Sequence, residues 1–329
     1  MHHASRNPGG RVRRALGLAV MPLALVVAAC GSAAPTAPPA ADAYEVAGKA
    51  FDAPWERVKI NVGVTSTGAD AVDIKPEAIE LIVDTSAGKG SLHLSLPAKA
   101  LGSQGASLGA LGGGDTLDID ALFDGQAIYV KSPLAATLLP FLAMQGVQVP
   151  SGDLSGWLKL GTATELGGLF GAMGNVPDAS DVPVGELKDL DAAGLKAKLE
   201  EAGVSVTFVG REQRNGVDSD HLLLNVDLKQ LQASDLAKEL PADQLSGLAG
   251  AAASGTLTAD VWLDASNGRP NEIAIHAADG SDKADITVLI SDPGAVSLDA
   301  PASFVEVPIA PLLVPLLQQF GGALSSPTP

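Results

Sequence analysis

A single cysteine, Cys30, stands in the 329 residues, so no disulfide can form within the chain and burial alone must hold the fold. Aromatic residues are few, at 4%, and Trp55, Trp157 and Trp262 have no basic neighbours interleaved in sequence. Positive charge is also scarce: 21 Lys and Arg stand against 38 Asp and Glu, a formal net charge of -17. Such a surface repels nucleic-acid phosphates and anionic lipid headgroups alike, which excludes nucleic acid as a partner. No HExxH, paired-cysteine or EF-hand spacing occurs, so no metal or cofactor is expected, and Asp115, Asp118 and Asp120 read as a wet strand face. Nor does any apolar run reach the roughly 20 residues that a spanning helix needs. Residues 15–29 are interrupted by Pro22, and the apolar tail after Val307 is broken by Pro308, Pro311 and Pro315. What the chain does have is 46% hydrophobic residues, which excludes general disorder and supplies one large core or two small ones.

The N-terminus has a clear grammar. Arg6, Arg11, Arg13 and Arg14 precede the apolar residues 15–29, the order of a secretory signal. Val27, Ala28, Ala29, Cys30 and Gly31 match the bacterial lipobox, in which small residues let a peptidase cut before a cysteine that has received a diacylglyceryl group. Residues 1–29 are therefore expected to be a lipoprotein signal peptide. Cys30 is the expected lipid anchor, with acyl chains such as palmitate holding the mature protein on the outer side of the bacterial cell membrane. Removal of the signal takes four arginines and no acids, moving the formal charge from -17 to -21. Residues 30–42, rich in Pro and Ala, read as a tether reaching on the order of 35 Å at about 3 Å per residue.

From there to residue 307 the pattern is that of one domain. Residues 45–51 suit a short helix ended by Pro54, after which the hydrophobic period becomes two. Val58, Ile60, Val62 and Val64 alternate with polar residues; Leu92, Leu94 and Leu96 repeat the pattern, as do Leu117, Ile119 and Ala121. Asp124-Gly125, Asn215-Gly216 and Asn267-Gly268 mark hairpin turns. In the second half Val204, Val206 and Phe208 pair with Leu222, Leu224 and Val226; strands on Val261, Ile275 and Val288 follow, and residues 295–299 close the series. About a dozen strands joined by hairpins predict an antiparallel sheet whose apolar face needs a cover. Residues 134–144, apolar nearly all round and so expected to be buried, residues 165–173, 191–202 and 228–252 read as the covering helices.

Several strings now line up in order: FDGQAIYVKSP, GWLKL, VSVTFVGREQRNGVDSDHLLLNVD, LTADVWLDASNGRPNEIAIHA and ADITVLISDPGAVSLDAPASF. Together they resemble the LppX/LprG/LprA-type lipoproteins, similar in architecture to the periplasmic lipoprotein carrier LolA, over residues 55–307. The resemblance implies an α+β fold, a curved antiparallel half-barrel with helices on its concave face and an apolar cavity between. It also implies acyl-chain lipid as the ligand. The stretch 134–183 and the tail 308–329 depart from the family pattern.

On this reading the lining residues are Ile60, Val62, Leu94, Leu138, Leu142, Leu166, Phe170, Val206, Phe208, Leu222, Leu224, Leu236, Val261, Leu263, Ile275 and Val288. The expected function is a non-catalytic, membrane-anchored carrier or sensor of lipid. The alternative is a structural or signalling lipoprotein whose core is filled and whose surface docks a protein. Gly105-Ala106-Ser107-Leu108-Gly109 fits G-x-S-x-G, but an elbow needs a buried strand before the serine, and here the serine lies in a glycine-rich stretch. His93 and His276 fall on the polar phase of strands, where a solvated imidazole is expected.

Overall fold

The computed structural model describes residues 42–53, 55–67, 71–101, 115–144, 149–150, 152–162, 190–235, 256–279 and 282–307. In chain order the strands are β1 (Arg57–Ser66), β2 (Asp73–Ile74), β3 (Ile79–Asp84), β4 (Lys89–Pro97), β5 (Thr116–Phe123), β6 (Ala127–Lys131) and β7 (Leu158–Thr162). After them come β8 (Val204–Arg214), β9 (Val217–Asp227), β10 (Thr256–Asp264), β11 (Pro270–Asp279), β12 (Asp282–Ser291) and β13 (Val305–Glu306). The helices are α1 (Ala43–Asp52), α2 (Pro133–Met144), α3 (Ala192–Glu201) and α4 (Leu228–Ala233). All 13 strands form one sheet, in the order β13-β7-β6-β5-β4-β3-β1-β12-β11-β10-β9-β8, with β2 beside β1. Neighbours are antiparallel except for β13 on β7, and the two ends do not pair, so the sheet is unclosed. The expected α+β class and strand number are met.

Two seams organise it. β1 is the centre, pairing with β3 on one side and, across more than 200 residues of sequence, with β12 on the other: Ile60 faces Leu81 and Ile290, and Val62 faces Val288. Local hairpins build the rest. The turn between β8 and β9 is two residues, Asn215 and Gly216, at φ 52° and 79°, the doubly positive turn that matches the twist of adjoining strands. The β10–β11 turn is held by the Asp264 carboxylate, which accepts the Ser266 amide at 2.8 Å and the Asn267 side-chain amide at 2.8 Å.

Side chains at alternate positions sort the sheet into a face bearing helices and a far face. On the helix face α1, α3 and α4 cover β8 and β9. Tyr44 and Val46 of α1 pack with Val206, Leu222 and Leu263, while Ala202, Leu228 and Leu231 pack with Val204 and Val226. Asp42, Asp191 and Asp227 cap the three helices by accepting amides of their first turns. Gly203, at φ 77°, joins α3 to β8 where a Cβ would stand 2.7 Å from Gln230 Cβ of α4. Only glycine fits that approach.

On the far face the chain after β12 behaves unlike the closing strand expected over residues 295–299. Residues 292–304 instead run as a strap from the middle of the sheet to its edge. Arg57 donates to the carbonyls of Gly294 (3.1 Å) and Val296 (2.7 Å), and Lys89 reaches Asp299 at 2.7 Å. Leu298 is buried among Ile82, Leu122, Ala127 and Tyr129, and Phe304 meets Tyr129 edge-on at 5.3 Å. Val305 and Glu306 then add β13 to β7. The prolines at 293 and 301 explain why the strap makes no ladder of its own.

The expectation that residues 134–144 form a buried helix is half right. α2 exists, but among its described side chains only Leu139 is buried, packed on Leu158 and Val307, and Met144 is 79% exposed. The sheet edge gives the helix one neighbour rather than an enclosure. The expected helix over residues 228–252 begins as α4, which stops at Ala233 with Ser234 as its C-cap; its residues from 236 on, the expected helix over 165–173 and the tail 308–329 lie outside the described residues.

Candidate functional site

The two halves of the helix face differ in closure. Across β1 and β10–β12 the face is sealed: Ile60 and Val288 are 0% exposed, and Val64, Ile275, Ile286 and Ile290 are buried with them. Across β3–β6 the same face is equally apolar but left half-buried. There Leu81 faces Leu92, Leu92 faces Ala121 and Ala121 faces Val130, while in the neighbouring row Ile79 faces Leu94 and Leu94 faces Ile119. None of these residues is fully buried, and the two rows carry no polar or charged side chain. α2 lies beside β5 at the outer end of this patch.

The structure brings most of the expected lining residues onto this one face. Ile60, Val206, Leu222, Leu263, Ile275 and Val288 are buried in it, and Val62, Leu94, Phe208, Leu224 and Val261 are half-buried. Leu138 sits half-buried on α2. The Leu142 side chain, Leu166, Phe170 and Leu236 lie outside the described residues. The strand phase read from the sequence therefore puts these residues on the helix-bearing face, and most of them belong to its sealed half. Leu81, Leu92, Ile119 and Val130 of the half-open patch share that face and were not among the residues named, although the alternation around Leu92 and Ile119 carried the signal.

The far face of the sealed half holds a different constellation. His221 stacks on Trp262 at 4.6 Å and its Nε2 lies 2.6 Å from Asp260 Oδ1. Asp260 Oδ2 is 3.2 Å from His276 Nε2, and His276 Nδ1 is 2.7 Å from Asp285. The chain of acid and imidazole thus crosses β9, β10, β11 and β12. Far from being merely solvated, His276 contacts two carboxylates, and His93 on β4 likewise meets Asp120 on β5 at 2.6 Å. Arg214 lies 4.3 Å over the Trp262 ring and forks onto Glu272, with its Nε 2.8 Å from Oε2; Trp262 Nε1 donates to Glu212. This pairing raises the Arg214 pKa, chiefly through the hydrogen bonds to Glu272. Trp262 and Trp55 therefore do have basic partners, Arg214 and Arg269, supplied across strands rather than along them.

What this polar face offers chemically is cross-strand bonding with charge assistance. Among the described residues no three His, Cys, Asp or Glu side chains are grouped so as to hold a metal ion, and Ser107 lies outside the described residues. The apolar patch of β3–β6 is the better candidate site.

Among solved structures this chain is similar to LprF from Mycobacterium bovis, at 14% identity and a TM-score of 0.36, over 81% of this chain and 100% of that one. It is also similar to lipoprotein LppX from Mycobacterium tuberculosis, at 14% identity and a TM-score of 0.31, over 73% of this chain and 89% of that one. A third is a lipoprotein-sorting protein domain from Vibrio parahaemolyticus, at 12% identity and a TM-score of 0.18, over 78% of this chain and 95% of that one. No family model and no curated protein sequence matches. LppX is of the type that the sequence strings resemble.

Proposed function

We propose that this protein is a non-catalytic carrier or sensor of acyl-chain lipid, tethered outside the cytoplasm of a bacterium through Cys30. The observation that carries the reading is the half-buried apolar patch of β3–β6. Burying apolar surface is worth about 25 cal/mol per Å², so an uncharged patch of two cross-strand rows left accessible favours an apolar occupant. Lipid chains match it chemically. A two-chain lipid with roughly 30 methylenes would expose on the order of 25 kcal/mol of apolar surface if carried bare.

The lipobox around Cys30 supports a place beside a membrane, with residues 1–29 removed and residues 30–42 as the tether. No helix among the described residues is long and apolar enough to cross a bilayer. A rival reading, a docking lipoprotein with a filled core, draws on the sealed half around Ile60 and Val288. The test separates the two. Residues 42–329, starting at the cap of α1, are exported without the anchor, purified and extracted with solvent for mass spectrometry. Stoichiometric acyl-chain lipid is the expected result; its absence would overturn the carrier reading in favour of the docking one.

A further inference from the structure

Surface helices ordinarily turn charged residues to solvent and apolar ones to the core. α2 breaks that rule. Among its described side chains the exposed ones are Pro133, Ala136, Thr137, Pro140, Ala143 and Met144, which at about 100° per residue fall on a single stripe, while Leu139 faces Leu158 and Val307. No residue of the helix carries a charge, in a chain whose formal net charge is -17. A second observation meets the first at the same place. Val307, packed against Leu139, opens a run that contains no Asp, Glu, Lys, Arg or His through Pro329. The charge-free helix and the first residue of a charge-free stretch of sequence thus meet at one edge of the sheet, next to the half-open patch on β3–β6.

We infer that the exposed stripe of α2 docks on a lipid bilayer surface and sets the apolar patch against the membrane from which it exchanges lipid. The inference rests on the tethered-carrier reading and gives that carrier an orientation. Twelve residues at about 1.5 Å each make a helix of roughly 18 Å, too short to span and suited to lying in the interface. The absence of basic residues means that insertion of apolar side chains, not attraction to anionic headgroups, supplies the contact. Weak docking suffices, because a tether converts it into an intramolecular event at high effective concentration.

The test uses the full, acylated chain reconstituted through its own anchor into phosphatidylcholine vesicles. Met144→Cys is labelled with an environment-sensitive fluorophore, and quenching by nitroxide-labelled phosphatidylcholine is compared with the same label at Val209→Cys. Val209 is another exposed large apolar residue, on β8 at the opposite edge, 55% exposed against 79% for Met144. The unsubstituted chain, labelled alongside, gives the background from Cys30. Quenching several-fold stronger at position 144 is expected, as is its loss when Ala136→Glu is added with an unchanged unfolding midpoint. Equal quenching at the two positions would overturn the inference, and so would quenching that requires added phosphatidylglycerol. If solvent extracts contain no bound lipid while position 144 is still quenched, the carrier reading fails and the docking stands.

Discussion

Truncation to alanine should have opposite effects in the two halves of the helix face. Ile60 is 0% exposed at the central seam, where it faces Leu81 and Ile290. Removing three carbons there loses their transfer free energy and leaves a cavity, a cost of about 3–4 kcal/mol. For a domain of this size each kcal/mol moves the unfolding midpoint by roughly 2–4 °C, so Ile60→Ala should lower it by about 10 °C. Leu94, between Ile79 and Ile119, is only half-buried. With part of its surface already accessible and no enclosing cavity to leave, Leu94→Ala should cost about 1 kcal/mol in the lipid-free protein. Bound lipid reverses the order, since Leu94→Ala removes contact with the occupant and Ile60→Ala does not. The assay is a pair of thermal melts on delipidated protein, followed by extraction and mass spectrometry of protein re-exposed to lipid. If Leu94→Ala destabilises the delipidated chain as much as Ile60→Ala and leaves lipid uptake unchanged, the β3–β6 patch is core, and the reasoning fails.

Three further outcomes follow from the polar contacts. Asp299 is held below the ordinary carboxylate range, first by the hydrogen bond from Lys89 and then by Ser297, so its contribution is present above about pH 4 and lost as pH falls through its lowered value. Hydrogen exchange of residues 292–304, corrected for intrinsic rates, should therefore accelerate on acidification, and Asp299→Asn should flatten that response. Arg214→Met would leave Glu272, 3% exposed, with only the Asn215 amide at 2.8 Å; a loss of about 2 kcal/mol is expected in denaturant unfolding, discounted because Arg214 is partly solvated. Adding Glu272→Met should restore most of it. Tyr44 titrates above the usual phenol range because burial disfavours its charged form, so stability should fall as pH climbs past about 10, less so in Tyr44→Phe.

Much of the sheet could be read in advance because one face is wet. Val58 to Val64, Leu92 to Leu96 and Leu257 to Leu263 alternate cleanly, and the Asn-Gly and Asp-Gly turns fix where three of the hairpins, β5–β6, β8–β9 and β10–β11, fold. β3 was not legible for the opposite reason. In IELIVD the run Leu81-Ile82-Val83 hides the alternation, because Ile82 sits between Glu80 and Asp84 on the far face and is buried under Leu298 of a strap more than 200 residues away. The strap itself showed only Val296 and Leu298 in alternation, which imitates a strand; nothing local reveals that Arg57 and Lys89 hold it. The same limit hid the imidazole ladder. His221, Asp260, His276 and Asp285 are unremarkable one at a time and become a chain only through the register of four strands. The candidate site was legible in kind, since strand phase identified the apolar face, but not in extent. Which half of that face is sealed depends on the segments that cover it, and no period in the strands encodes them.

The pairing of β1 with β12 and of β7 with β13 also dictates an order of assembly. The first strand of the sheet waits for almost the last to be synthesised, and the opposite rim is finished only by residues 305–306. Until the ribosome has delivered them, β7 presents a bare row of amides and carbonyls, and β1 is paired along one edge alone, by β2 and β3. A nascent chain stopped before Val305 would therefore be a sticky fragment rather than a smaller version of the protein.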